Sequence, residues 1–392
     1  MPAPPSPAIA AAGLPPRELW TESARRRRNA YAVTPGAPFL KGEFGFYCWE
    51  EWKRQGMPDI EQGSPEAREL FHYDEPGYHD LGELGWCEPA YVPHFDVEIL
   101  EDRGETEVER DWAGRGVLYF KGRRQGFMPE YIAHPVKDIE SWKANAEWRL
   151  DPGDPRRYEG LDERMAAAQA AAARGEMITQ HMAGSFMYLR AMLGPEELLY
   201  AFHDQPELIE AAMQRWLELG DAVIAVHQRY VTLDEIFFAE DNCYNHGPLV
   251  SPAMIRDMLL PYYKELLRRV KERQLDKSRH LYLQIDTDGD CRPLIGFYVE
   301  EIGMDAMSPF EVASGCNVVE IARQYPGLCL RGGIDKRVLG AGRSEIDEMV
   351  GRIFPALRER GGYIPMCDHG VPAEVSFSNY LHYRRRCVEF GE

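Results

Sequence analysis

The chain has 392 residues, of which 44% are hydrophobic, 28% charged and 11% aromatic, a composition that supports a large folded core and excludes a fibrous or wholly disordered chain. Its 64 acidic residues against 45 basic ones give a formal net charge of −19, which argues against nucleic acid or an anionic membrane surface as a partner. No stretch approaches the ~18 consecutive apolar residues of a membrane span, and the start lacks the charged-then-apolar order of a secretory leader, so a cytoplasmic setting is expected.

Residues 1–17, MPAPPSPAIAAAGLPPR, are rich in Pro and Ala without periodicity, and a flexible tail is expected there. The remainder, 18–392, reads as a single domain, a length that a barrel of roughly 250 residues with insertions would use up. Residues 37–47, rich in aromatics and glycine, predict a strand, and WEEWKRQG predicts a helix ending at Gly56. From 92 to 130 polar and β-branched residues alternate around turns at Asp102-Arg103-Gly104 and Ala113-Gly114, the pattern of a small antiparallel meander inserted into the larger fold.

After about residue 135 short apolar strands alternate with amphipathic helices, as parallel βαβ units do. A helix from about Pro206 presents Ile209, Met213, Trp216 and Val223 on one face. Ser251-Pro252 supplies a cap and a pre-set first turn for Ile255, Met258, Leu259, Leu266 and Val270, with a kink predicted at Pro261. Ser344 reads as the cap of a helix carrying Ile346, Met349, Val350, Ile353 and Leu357 that stops at Gly361-Gly362. Between them lie the strand candidates EMITQHM, DEIFFAED, HLYLQIDTD, MDAMSP, LCLRGGID and YIPMCDHG. Six strands of this kind predict an α/β protein, a (β/α)8 TIM-type barrel with the small antiparallel insertion in its N-terminal third, although an open sheet fits the same alternation.

In a barrel the chemistry sits at the carboxyl ends of the strands, where the loops converge on one mouth. The predicted tips carry His181, Glu240-Asp241-Asn242, Gln284-Ile285-Asp286-Thr287-Asp288, Ser308-Pro309-Phe310-Glu311, Asp335-Lys336 and Cys367-Asp368-His369. Singly, each is an ordinary polar loop. Together they set acids, an imidazole and a thiol around one opening, the residue types that a divalent metal or a general acid needs. Cys367 with His369 offers half of a zinc site, or equally a buried thiol beside a capping Asp368. The DTDGD run places Gly one position too early for a calcium loop and has no closing Glu. The eight cysteines form no CxxC pair and are expected to be reduced, mostly buried thiols. No GxGxxG, GxxxxGK[ST] or GxSxG motif is present.

From about residue 178 to the C-terminus, LGPEELLYAFHDQPELI, SPAMIRDMLLPYYKELL, DTDGD, SPFEVASG, GGIDKRVL and GGYIPMCDHGVPAEVSFSNY resemble the uroporphyrinogen decarboxylase superfamily, and the 37–150 region is compatible with it. The resemblance implies a distorted (β/α) barrel that is either a decarboxylase or a corrinoid- or coenzyme-M-linked methyltransferase. Decarboxylases of the family carry an early arginine-rich motif that holds substrate carboxylates. Here the equivalent stretch is FLKGEFGFYCWEEWKRQG, where Glu43 faces the substrate in place of arginine. In the methyltransferase branch an H-x-C and a later Cys bind zinc, and these positions fall near Gln284-Ile285-Asp286 and Cys367 in this chain. The resemblance therefore implies an oxygen-richer metal site of Glu240, Asp286 and Cys367, or His369 in place of the thiol, with zinc as the candidate ion. It assigns catalytic roles to His181, Asp288 and His369, and substrate contacts to Glu43, Asn242, Gln284, Tyr244, Phe310 and Lys336. The activity implied is transfer of a methyl group from a methoxylated or methylated small molecule to the corrinoid of a partner protein, since the chain lacks a D-x-H-x-x-G corrinoid signature. Such a partner would dock over the mouth, where Tyr244, Phe310 and Tyr363 are expected to be exposed. A tetrapyrrole decarboxylase and a non-catalytic binder of a tetrapyrrole or small acid are the alternatives, and a homodimer is implied by the resemblance alone.

Overall fold

The computed structural model describes residues 19–122 and 129–391, so the expected tail at 1–17 lies outside the described residues. Strand β1 (Tyr78–Asp80) is followed by an insertion of four strands, β2 (Glu98–Asp102), β3 (Thr106–Arg110), β4 (Gly116–Phe120) and β5 (Glu130–Ala133). These pair antiparallel in the order β2-β3-β4-β5, which is the expected meander. Its tight turns form where Gly104 and Gly114 adopt positive φ, with Asp102 Oδ1 accepting from the Gly104 N–H at 2.9 Å.

The main sheet resumes with β6 (Met177–Ala183) and β7 (Glu235–Ala239), then, after a short hairpin of β8 (Cys243–Tyr244) and β9 (Gly247–Pro248), with β10 (Tyr282–Asp286), β11 (Ala306–Ser308), β12 (Cys329–Arg331) and β13 (Tyr363–Ile364). With β1 these make a seven-stranded sheet in the order β1-β6-β7-β10-β11-β12-β13, parallel throughout and curled into a (β/α) barrel. All six strand candidates read after residue 135 are present. Alternation along each strand separates two cores. Met177, Tyr282, Ala306, Cys329 and Ile364 pack inside the barrel, whereas Ile178, Ile236, Phe238, Leu283 and Leu330 face the surrounding helices.

The helix Glu22–Tyr31 carries the basic run Arg25–Arg28 and closes the amino end of the barrel. Tyr31 Oη donates to Glu235 at 2.5 Å and lies 2.8 Å from the Gln284 side-chain oxygen. Arg28 lies 3.4 Å from the buried carboxylate of Asp234. The expected strand at 37–47 is not formed. Lys41 N is held by the Asp74 side chain and Phe39 N by the carbonyl of Gly391, so the backbone bonds to loops and chain ends rather than to a strand. Only Phe46 makes a ladder contact, a parallel bridge to Val371. The helix after it, Trp49–Arg54, forms as predicted, and Trp52 is buried against Phe46, Phe71 and Tyr380.

The helix Pro206–His227 buries Ile209, Met213, Trp216 and Val223 as read from the sequence. Ser251 caps by accepting from Met254 N at 3.2 Å. The break at Pro261 takes the form of a wider π turn, Ile255–Leu259, directly before the helix Leu260–Arg273, since a proline has no N–H to donate into the preceding turn. Ser344 is not a cap. The helix Arg343–Arg360 begins one residue earlier, after Gly342, and stops at Gly361 as expected. Seven of the eight cysteines are buried thiols, and Cys87 is half-buried. Among the described residues no helix is long and apolar enough to cross a membrane.

Candidate active site

At the carboxyl end of the barrel lies a cavity of about 570 Å³. The segments after β1 (Trp86, Cys87), β6 (Met187, Arg190), β7 (Glu240, Asp241), β10 (Asp286, Asp288) and β13 (His369) converge on it. Phe44 and Tyr47 close one side, and the insertion leans over another with Arg115 and Tyr131. Five strand ends reach one volume because the parallel ladders place Ala183, Ala239, Asp286 and Ser308 at neighbouring registers.

The electrostatics of this mouth are those of a proton reservoir. Asp286 points into the barrel, accepts from Glu240 N at 2.9 Å, and is held far above the carboxylate range by burial and then by the neighbouring charges of Asp288 and Asp241. Burial lifts Asp241 to about 6 in spite of its ion pair with Arg190. Burial lifts Glu240 to about 7. Its oxygens are taken by Tyr263 Oη at 2.6 Å, Met187 N at 2.7 Å and Ser185 Oγ at 3.2 Å. His369 Nε2 lies 3.4 Å from Asp288, which raises the imidazole above 6.5. The ring lies between Phe44 and Tyr47, nearly parallel to both at centroid distances of 6.2 and 6.3 Å. Arg115 is engaged by Glu88 and Asp111 at 2.8 Å each. Both cavity arginines are thus already paired.

The structure brings together some of the residues singled out from the sequence. Asp286, Asp288, His369 and Glu240 line the cavity. His181 stands one ring behind it: Nδ1 binds Asp80 at 2.9 Å, and Trp86, which does line the cavity, packs edge-on against it at 5.1 Å. Glu43 lies beneath the mouth and ties its wall together, accepting from Cys367 N at 2.8 Å, Phe44 N at 3.0 Å and Tyr380 Oη at 2.7 Å. Lys336 pairs with Glu311 at 3.2 Å, close enough for both charges to act on His369.

Others lie elsewhere. Gln284 is inside the barrel, bonded to Tyr31 and Arg331. Asn242 is buried between Thr287 and Tyr298. Tyr244 is exposed, as expected, whereas Phe310 and Tyr363 are fully buried rather than exposed around the mouth. The candidate metal set does not gather. Glu240 turns its oxygens to Tyr263, Met187 and Ser185, while Cys367 is buried, does not line the cavity, and has a thiol pushed far up by burial. Among the described residues no three His, Cys, Asp or Glu side chains are arranged to hold a metal ion.

Sequence reasoning passed over Trp86, Cys87, Arg115, Tyr131 and Arg190. Only the barrel's closure draws these onto the mouth, for they sit on the insertion, on a loop and inside a helix, with no motif around them. Asp241 did stand in a predicted tip, but nothing local distinguished it from a solvated turn.

The family model for uroporphyrinogen decarboxylase (URO-D) matches residues 129–388, more than half of the chain, and the chain belongs to that family. Among solved structures a methyltransferase from Methanosarcina mazei is similar, with a TM-score of 0.57 and 16% identity over 94% of this chain and 98% of that one, a likeness of fold. Xylanase B from Clostridium stercorarium F9 reaches a TM-score of only 0.32, with 13% identity over 61% of this chain and 77% of its own, and has no bearing on the argument. No curated protein matches by sequence.

Proposed function

We propose that this member of the uroporphyrinogen decarboxylase family is a methyltransferase of the demethylating kind, which takes a methyl group from the oxygen or nitrogen of a small methoxylated or methylated molecule. The observation that supports the reading is the cavity itself. A volume of about 570 Å³ suits a small molecule, and around it stand Asp286, Asp241 and His369, three groups whose surroundings all raise their pKa and so favour the protonated form. Carbon–oxygen cleavage in an ether leaves an alkoxide or phenoxide, a poor leaving group unless a proton arrives as the bond breaks. A corrinoid delivered by a partner protein supplies the methyl acceptor. The chain's own part is to orient the donor between Trp86, Tyr47 and Phe44, to exclude water, and to pass a proton from His369 Nε2 or Asp286 to the leaving atom. Asp288 raises the His369 pKa, and burial together with the neighbouring acids raises that of Asp286, so both lean toward their protonated forms.

A porphyrinogen carrying many carboxylates fits this mouth poorly. It would meet Asp241 and Asp288, and both arginines there are already engaged. Since the proposed metal ligands do not converge, no step is routed through a metal. The test is anaerobic incubation with free cob(I)alamin and a panel of methoxybenzenes and methylamines, following loss of the cob(I)alamin absorbance and formation of the demethylated product. Turnover that falls about 100-fold or more in His369→Ala or Asp286→Asn supports acid assistance. Full activity in both variants, or release of CO₂ from a porphyrinogen with no methyl transfer, would overturn the reading.

A further inference from the structure

Among the described residues, the barrel interior holds a guanidinium with no ion-pair partner, although Asp286 on β10 is near enough to feel its charge. Arg331 ends β12 one residue beyond Leu330, which pairs with Met307, and so stands at the level of Ser308 and Asp286 on the barrel floor below the mouth. Its Nη1 donates to Gln284, while its Nε is buried with no acceptor. The nearby carboxylates are committed to other groups. Glu235 receives Tyr31 Oη at 2.5 Å, Thr179 Oγ1 at 3.0 Å and the Arg27 guanidinium at 3.7 Å. Asp234 serves Arg28 and Arg279, each at 3.4 Å. Among the described residues the half-buried Arg331 thus has one side-chain amide oxygen and no ion-pair partner, and a buried Nε left without an acceptor is costly unless something else satisfies it.

The space beside it is large enough for that something. A second cavity of about 290 Å³ is lined by Arg331, Phe44, Tyr73, Tyr78 and Met366, and it shares the wall Phe44-Gly45-Phe46 with the mouth. Two acids also line it, but neither is free to neutralise Arg331. Glu43 is bonded to Tyr380, Cys367 N and Phe44 N. Asp74 accepts from Lys41 N at 2.7 Å and lies 3.8 Å from Arg26. With Nη1 turned to Gln284, the edge of the guanidinium formed by Nε and Nη2 is the one left over, and that edge matches the two oxygens of a carboxylate.

We infer that this inner chamber is a binding site for a small aromatic monocarboxylate, anchored on the Nε–Nη2 edge of Arg331 with its ring among Phe44, Tyr73 and Tyr78. A planar monoanion fits better than phosphate, because a dianion would face Glu43 and Asp74, while the other two arginines of the lining, Arg27 and Arg68, already pair with Glu235 and Glu75. Resting on the methyl-transfer reading, the chamber selects methyl donors that bear a carboxylate. A ligand held there abuts Phe44, the residue that stacks on His369.

Titration calorimetry on the full chain tests the site without turnover, using benzoate, its neutral isostere benzamide and inorganic phosphate as probes. Benzoate is expected to bind at least tenfold more tightly than benzamide or phosphate. Binding should be lost in Arg331→Met and weakened in Arg331→Lys, which keeps the charge but not the fork, with both variants checked for folding by circular dichroism. On the wild type, benzoate should also protect Arg331 from modification by phenylglyoxal, read by peptide mass, so the test does not depend on the variants folding. Equal binding of benzoate and benzamide, phosphate binding as tight as benzoate, unchanged affinity in a folded Arg331→Met, or no protection would each overturn the assignment. Benzoate capture by a protein that transfers no methyl group would leave this site standing and count only against the transfer reading.

Discussion

Replacing Glu240 with Gln should flatten part of the protein's stability profile against pH. The carboxyl is 4% exposed and titrates at about 7 in the folded chain against 4.5 in the open. At 1.36 kcal/mol per pH unit this difference corresponds to about 3 kcal/mol. Burial raises the folded value, so the sign is fixed. Below pH 4.5 the group is protonated in both states and the folded form keeps its full stability. Between 4.5 and about 7 the unfolded chain ionises first, and up to about 3 kcal/mol of stability is lost as the pH rises; above 7 the loss is constant. Glutamine mimics the protonated acid, because its oxygen can accept from Met187 N while its amide donates toward Tyr263 and Ser185. The assay is urea unfolding of wild type and Glu240→Gln from pH 4.5 to 8. Only the difference between the two curves matters, since Asp286 and Asp241 titrate in both proteins. Wild type should lose about 3 kcal/mol relative to the variant across that window. Curves that stay parallel to within about 1 kcal/mol would refute the claim that Glu240 is a buried, protonatable acid.

In Asp288→Asn the His369 imidazole should lose its charge at lower pH, because the carboxylate that raises it is gone; the histidine resonance followed by NMR, or the alkaline limb of the methyl-transfer rate, should move to lower pH. Gly289→Ala should destabilise the chain by more than about 1 kcal/mol in urea unfolding, since Gly289 has φ +72° and an added Cβ would come within 2.4 Å of the Tyr244 carbonyl oxygen. The same substitution should disturb the neighbouring Asp288 and lower the His369 pKa. Trp52→Ala should cost about 4 kcal/mol in the same assay, because it empties the space between Phe46, Phe71 and Tyr380 and strands the Val375 carbonyl now bonded at 2.7 Å. A loss below about 1 kcal/mol would mean that this cluster is not a packed core.

Six of the seven strands of the main sheet were legible because each is a short apolar run with a polar end, flanked by helices whose caps and apolar spacing are local properties; β1, Tyr78-His79-Asp80, has no such run and was not legible. Ser251, Pro206 and Gly361 mark helix ends in the sequence and in the structure alike. Local reasoning failed at Ser344, where the chain starts its helix after Gly342, and at residues 37–47. There the aromatic and glycine content suggested a strand, but the backbone bonds were claimed by Asp74, Gly391 and Val371, all distant in sequence. The basic run Arg25–Arg28 had no local reading beyond its charge; its role as a plug appears only when Asp234 and Glu235 are brought to the barrel's amino end.

For the site, the sequence determined which acids and imidazoles follow strand ends: Asp286 closes β10, and Asp288 and His369 lie in the loops after β10 and β13, which a parallel barrel brings to the mouth. It could not determine how those groups ionise or which way they turn. The oxygens of Glu240 face Tyr263 and Ser185 because of packing between β7 and its covering helices, and the Asp286 pKa is raised by burial, by Asp288 beside it and by Asp241 from the neighbouring strand end. The lack of an ion-pair partner for Arg331 is likewise a sum over residues from opposite ends of the chain, since the nearby Glu235 is claimed by Tyr31 and Arg27. Spacing along the chain fixes the direction of a side chain within its own strand; desolvation and pairing depend on everything within a few ångströms, and only the closed barrel decides what that is.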